Sequence, residues 1–220
     1  MTTSGSYSWQ PDVGEVISEA FDRCGVDPST IVSRHLVSAR RSLNYLFVQW
    51  ANDGVHLWAV DQQSQLLTAS AGSYSCPVGT IAILEMVVRR DGIDTPVFPM
   101  SRDEYLAIPD KTTEGLPNRF WFNRDATTPS YTLWDVPENS TDTVYYYRMR
   151  QLQDITASAE TADVPYRWQE ALAAGLAAKL AEKYAPDREN FLRNKAGARY
   201  AEAFTEDRER APTTFRPSWR

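Results

Sequence analysis

Between Leu36 and Trp58 the chain reads LVSARRSLNYLFVQWANDGVHLW, and Leu36, Ala39, Leu43, Leu46, Phe47 and Trp50 recur at spacings of three and four. That is the period of one helix face, and an apolar face needs a partner. Upstream, Val13, Val16, Ile17, Ala20, Phe21 and Cys24 form a second stripe of the same period. Asp12 with Glu15 three residues on predicts its capped start, and Gly25 its stop. Asp27 followed by Pro28 predicts the start of the longer helix, which ends at Gly54. At roughly 25 residues that helix would be about 38 Å long.

After Gly54 the period changes. Leu57 to Val60, Leu66 to Ala69, Tyr74 to Val78, Ile81 to Arg90, Thr95 to Pro99, Arg119 to Asn123, Tyr131 to Val136 and Thr143 to Leu152 are rich in β-branched and aromatic residues and predict strands. Asp91 and Gly92 predict a hairpin turn. In the last strand Val144, Tyr146 and Arg148 share one face, and Tyr145, Tyr147 and Met149 the other. Ser101 with Glu104 predicts a short capped helix through Ile108, and Pro109 to Pro117 reads as loop. The helical period returns at Pro165 with Trp168, Leu172, Gly175, Leu176 and Leu180, whose small neighbours permit close approach to another helix. Pro186 breaks this helix, and Asp187 is placed to cap one more, carrying Phe191, Leu192, Ala198, Ala201 and Phe204.

These elements predict an α+β protein. N- and C-terminal helix pairs form a helical bundle around an inserted antiparallel β-rich region, a small sheet or sandwich, and an extended C-terminal arm follows. The expected divisions are residues 1–54 for the N-terminal half of the bundle, 55–163 for the β-rich insertion, 164–210 for the C-terminal half and 211–220 for the arm. The arm reads APTTFRPSWR. Two prolines in ten residues cannot continue a helix.

Composition changes this picture little. The 220 residues are 42% hydrophobic and 12% aromatic, enough for a buried core. No apolar run is long enough to span a membrane, and the first residues do not read as a signal peptide. Cys24 in a helical stripe and Cys76 in a strand are expected as two buried thiols rather than a disulfide. The sequon at Asn139, Ser140 and Thr141 then reads as a chance match. The net charge of −6 divides into −9 for residues 1–164 and +3 for residues 165–220. No dense basic run exists, which disfavours tight nucleic-acid binding.

Candidate chemistry is sparse. His35 and His56 have no Cys, His or carboxylate at metal-ligand spacing, and there is no Gly-rich phosphate loop or nucleophile elbow, so no catalytic, cofactor or metal site is legible. Glu15, Glu19, Glu85, Asp103 and Glu104 could furnish a glycosidase pair but read first as caps and solvated faces. His35 reads as a surface residue. Trp50 and Trp58 read as packing at the helix-to-sheet junction rather than as a ligand platform.

The order of these features resembles a known family. EAFDRCGV, then LNYLFVQWANDG running into HLW, SYSCPVG, RRDGIDTPVFPMSRDEYLAIPDK with GLPNRFWF, TLWDVP, and PYRWQEALAAGLAAKLAEKYAP together resemble the head-to-tail adaptor, or tail accessory factor, of short-tailed bacteriophages. The resemblance runs from Val13 to Pro212 and rests on order and spacing rather than on one motif. It implies a structural virion protein at the head-tail junction, made in the host bacterial cytoplasm, with no catalytic residues. It implies a ring of twelve copies under the portal protein, helical side toward the portal and β-rich platform toward tail tube, nozzle or tail fibre or spike proteins. Viral DNA would pass through the lumen without sequence-specific binding, and the C-terminal arm would engage portal subunits. The expected portal-binding residues are Phe215, Arg216, Pro217, Trp219 and Arg220. Two other classes stay open. A virion-associated cell-wall hydrolase would need two matched carboxylates in a cleft, and a helical DNA-binding regulator would need more than Arg40 and Arg41 on its recognition helix.

Overall fold

A computed structural model describes residues 3–54 and 56–207. The chain divides into two compact units, residues 1–57 with 152–220 and residues 58–151.

The first unit holds four long helices. Helix α1, Val13–Cys24, starts and stops where its sequence signals stand. The Glu15 amide donates to Asp12 Oδ1 at 2.8 Å, and Glu15 Oε2 accepts from the Asp12 amide at 3.3 Å. Gly25 ends the helix at φ 75°, the left-handed region that favours glycine. Helix α2, Ser33–Asp53, begins later than Asp27 and Pro28 suggest. Asp27 caps only a single 3₁₀ turn, Pro28–Thr30, its Oδ1 accepting from the Ser29 amide at 2.8 Å. Val32 then takes extended backbone, φ −110° and ψ 166°, before the helix restarts at Ser33. His35 serves that restart: its Nδ1 accepts from the Val32 amide at 3.2 Å while its ring packs against Phe21 and Tyr184. It is therefore half-buried and structural, not the surface residue its polar neighbours suggested.

A 3₁₀ turn, Tyr166–Trp168, leads into α4, Gln169–Tyr184, which packs against α1, α2 and the last helix and is buried on most of its circumference. That last helix, α5, spans Glu189–Glu206. Asp187 does not cap it, because Pro186–Arg188 first makes a 3₁₀ turn and the cap position falls on Arg188 with no side-chain bond. The small residues of α4 do let a neighbour approach: a Cβ on Gly175 would stand 2.8 Å from Leu46 Cδ2. Gly175→Val is expected to destabilise the unit by about 1–3 kcal/mol through overpacking, read as a lowered urea midpoint at unchanged slope. An unchanged midpoint would show that Leu46 yields without cost.

Where α2, α4 and α5 meet, Trp50, Trp168, Tyr200, Phe204 and His56 form an aromatic cluster. Trp50 and Trp168 have ring centroids 5.1 Å apart in an edge-on arrangement. His56 Nε2 lies 2.9 Å from the Trp50 carbonyl oxygen.

The second unit is a sandwich of two small sheets with a two-stranded accessory pair. One sheet orders β1, Val60–Leu66; β10, Thr143–Arg150; β3, Thr80–Arg90; and β4, Ile93–Pro96. The other orders β2, Ser73–Ser75; β8, Ser130–Trp134; β7, Arg119–Asn123; and β5, Phe98–Pro99. Two pairings are parallel rather than antiparallel: β5 with β7, and β6, Glu114–Gly115, with β9, Val136–Pro137. Both are two residues long. Strand β6 sits inside the stretch expected as loop. The capped helix α3, Arg102–Ala107, forms with both halves of its capping box.

Strand β1 corrects the sequence reading most. Its polar centre, Asp61 to Gln65, suggested a break between two strands, yet the backbone pairs continuously with β10 from Val60↔Met149 to Leu66↔Thr143. It is an edge strand, where polar side chains face water at no cost to the ladder. Met86, Val88, Val144 and Tyr146 from the first sheet meet Phe120, Tyr131 and Leu133 from the second to form the core. Arg148, also on the inner face of β10, is buried. Its Nε donates to Asp61 Oδ1 at 2.7 Å and its Nη1 to Thr80 Oγ1 at 2.8 Å.

Cys24 and Cys76 are free, buried, and in different units. Burial pushes both thiols up, Cys76 to about 11, so little thiolate exists at neutral pH. Ellman's reagent at pH 8 is expected to label the folded chain at least about tenfold more slowly than the denatured one. Immediate reaction of two thiols would contradict this burial.

Candidate assembly surfaces

Three of the five carboxylates that might have furnished a hydrolytic pair are engaged elsewhere. Glu15 and Glu104 complete capping boxes, and Glu19 accepts from Arg23 Nε at 2.7 Å. Among the described residues no group of three or more His, Cys, Asp or Glu gathers as a metal site. No helix among them is long and apolar enough to cross a membrane. Trp50 is buried in the aromatic cluster, which leaves no room for it to serve as a platform.

What the helical unit does present is surface of three kinds. The first is a stripe on α2. Val37, Tyr45 and Val48, with Arg41 among them, fall on the side opposite the buried residues, and Tyr45 and Val48 are 62% and 60% exposed. Val37, Tyr45 and Val48 thus leave an apolar strip on the outer face of α2.

The second is the point where α5 ends. The Asp207 carboxylate is inaccessible to solvent; its Oδ1 accepts from Arg167 Nε and Nη2, and its Oδ2 from the Leu57 amide at 3.1 Å. One side chain thus ties the last residue before segment 208–220 both to the turn that opens α4 and to the end of the N-terminal half. Nothing in the periodicity announced it, since Asp207 and Arg167 lie 40 residues apart.

The third is a groove of about 680 Å³ between the segment preceding α1, α1 itself, and the start of α4. Trp9 and Tyr166 stand at it 73% and 79% exposed, and Val16 and Ala173 contribute buried surface. Arg23 reaches across, donating from Nη1 and Nη2 to Glu170 at 3.0 and 2.8 Å, and holds the Glu170 carboxyl below the usual range. Glu15, Glu19, Asp22 and Glu170 against Arg23 leave the lining with net charge −3. Trp9 and Tyr166 were passed over in the sequence because each sits outside a periodic segment, two residues before Pro11 and one after Pro165. The residues expected to bind portal, Phe215, Arg216, Pro217, Trp219 and Arg220, lie outside the described residues.

The chain thus folds as a helical unit, which presents these features, and a β-sandwich unit. The sequence model of the SU10 adaptor protein family matches residues 11–218, and the chain belongs to that family. The match covers both units and most of the arm. Among curated proteins, none matches the chain.

Proposed function

We propose that the protein is a structural head-to-tail adaptor, without catalytic activity, that docks under the portal of a phage head. Twelve copies form a ring that completes the packaged head and connects it to tail tube, nozzle or fibre components, and viral DNA passes through the lumen. The observation that carries this reading is the adaptor family match along residues 11–218. The surfaces support it. A ring needs two different faces per subunit, and the apolar stripe of α2 is one surface that a neighbouring copy can cover. The net charge of −6 suits a conduit, because a lumen without dense positive charge does not hold the DNA that moves through it. The same charge makes identical free subunits repel mildly, so closure on the portal template is favoured over closure in solution.

Multi-angle light scattering tests this. The free chain is expected near its monomer mass of 24.9 kDa, and a portal-sized complex is expected only when portal protein is present. A stable small closed dimer that ignores portal would count against the adaptor role.

A further inference from the structure

We propose that, in the free subunit, the acidic groove between α1 and the start of α4 holds the C-terminal arm of the same chain, so that the arm is parked until portal draws it out. The occupant is segment 208–220, which carries Arg208, Arg210, Arg216 and Arg220 against Glu209, a net charge of +3. The lining carries −3. The apolar features match as well: Phe215 and Trp219 in the arm, exposed Trp9 and Tyr166 at the groove. Aromatic rings pair favourably edge-on or offset, and guanidinium groups stack on Trp and Tyr faces.

Position commits the occupant to the same chain. The arm begins after Asp207, and Asp207 is bonded to Arg167, the immediate neighbour of groove residue Tyr166. Thirteen residues reach roughly 45 Å when extended, far more than the entry needs. A tether this short gives an effective concentration on the order of millimolar, so the arm of the same chain outcompetes that of another copy at ordinary concentrations. Of the four carboxylates, Asp22 is the exposed one with no ion pair or cap to satisfy, and it is the natural partner for an arm arginine.

The inference rests on the adaptor reading only for what releases the arm. Its test uses the full chain with Ser18→Cys and Ser218→Cys together, Ser18 being exposed at the groove. Cys24 and Cys76 are buried and do not compete. Mild oxidation is expected to give an intramolecular disulfide at monomer mass, in yield about tenfold above a Val48→Cys, Ser218→Cys control on the outward side of α2. Adding Asp22→Lys, or raising the salt to 1 M, is expected to lower that yield toward the control. Yield no greater than the control overturns the proposal, and links formed only between chains assign the groove to a second copy instead. Pelleting with portal then separates the two claims. The oxidised double variant is expected to bind portal only after reduction, and equal binding before and after overturns the claim that portal takes up this same arm. Failure of the reduced variant and of the wild-type chain to bind portal would instead overturn the adaptor reading, leaving the disulfide result untouched.

Discussion

A chain ending at Ala211 will keep its fold and lose about a thousandfold in its contact with portal. The fold should survive because α5 is complete at Glu206 and its end is fixed by the Asp207 carboxylate, upstream of the cut. The binding should fail because the lost segment holds Phe215 and Trp219 around Arg216 and Pro217, with Arg220 beyond. A ten-residue stretch broken by two prolines cannot bury its own aromatics, so their burial requires another surface. Each aromatic anchor can carry roughly 2 kcal/mol, and two together correspond to about three decades in affinity. Repetition around a ring multiplies the loss, so assembly should fall further than a single contact. Co-sedimentation of the shortened chain with portal measures this directly. Recovery at the wild-type level would exclude the arm as the docking element.

Trp50→Ala is expected to cost roughly 3–5 kcal/mol, the largest effect of any single substitution considered. Trp50 is 3% exposed and its ring touches Phe47, Trp168 and Tyr200, so truncation opens a void among three helices. The neighbours cannot close it easily. Trp168 is itself fully buried, and His56 is held to the Trp50 carbonyl. Against a total stability of about 5–15 kcal/mol for a native protein, such a loss would leave much of the population unfolded at growth temperature. Urea unfolding followed by circular dichroism gives the number, and a loss below about 0.5 kcal/mol would place Trp50 outside the core.

Parts of this architecture were legible because local chemistry decides them. The capping boxes at Asp12 and Ser101, the left-handed stop at Gly25, and strands such as Arg119–Asn123 follow from spacing within a few residues. The burial of Leu43, Leu46, Phe47 and Trp50 followed from their helical period. Other parts were settled by tertiary context. Nothing local says that Asp61 to Gln65 continue one strand, because the reason is the pairing with Val144 to Arg148 far along the chain. Likewise Asp27 looks like the start of a helix, yet its turn ends at Thr30 and the extended backbone of Val32 separates it from the helix that follows. The candidate surfaces were the least legible. Trp9, Tyr166, Arg167 and Asp207 belong to no periodic face, and their significance is that folding brings three distant segments together.

The central claim is that this chain builds a ring on a portal. Electron microscopy of portal particles mixed with the purified protein, and of each alone, tests it most directly. The account predicts an additional ring of twelve subunits stacked on the portal in the mixture and no ring in the protein alone. Portal particles unchanged by a tenfold excess of the chain, with all of it remaining at monomer mass, would contradict it.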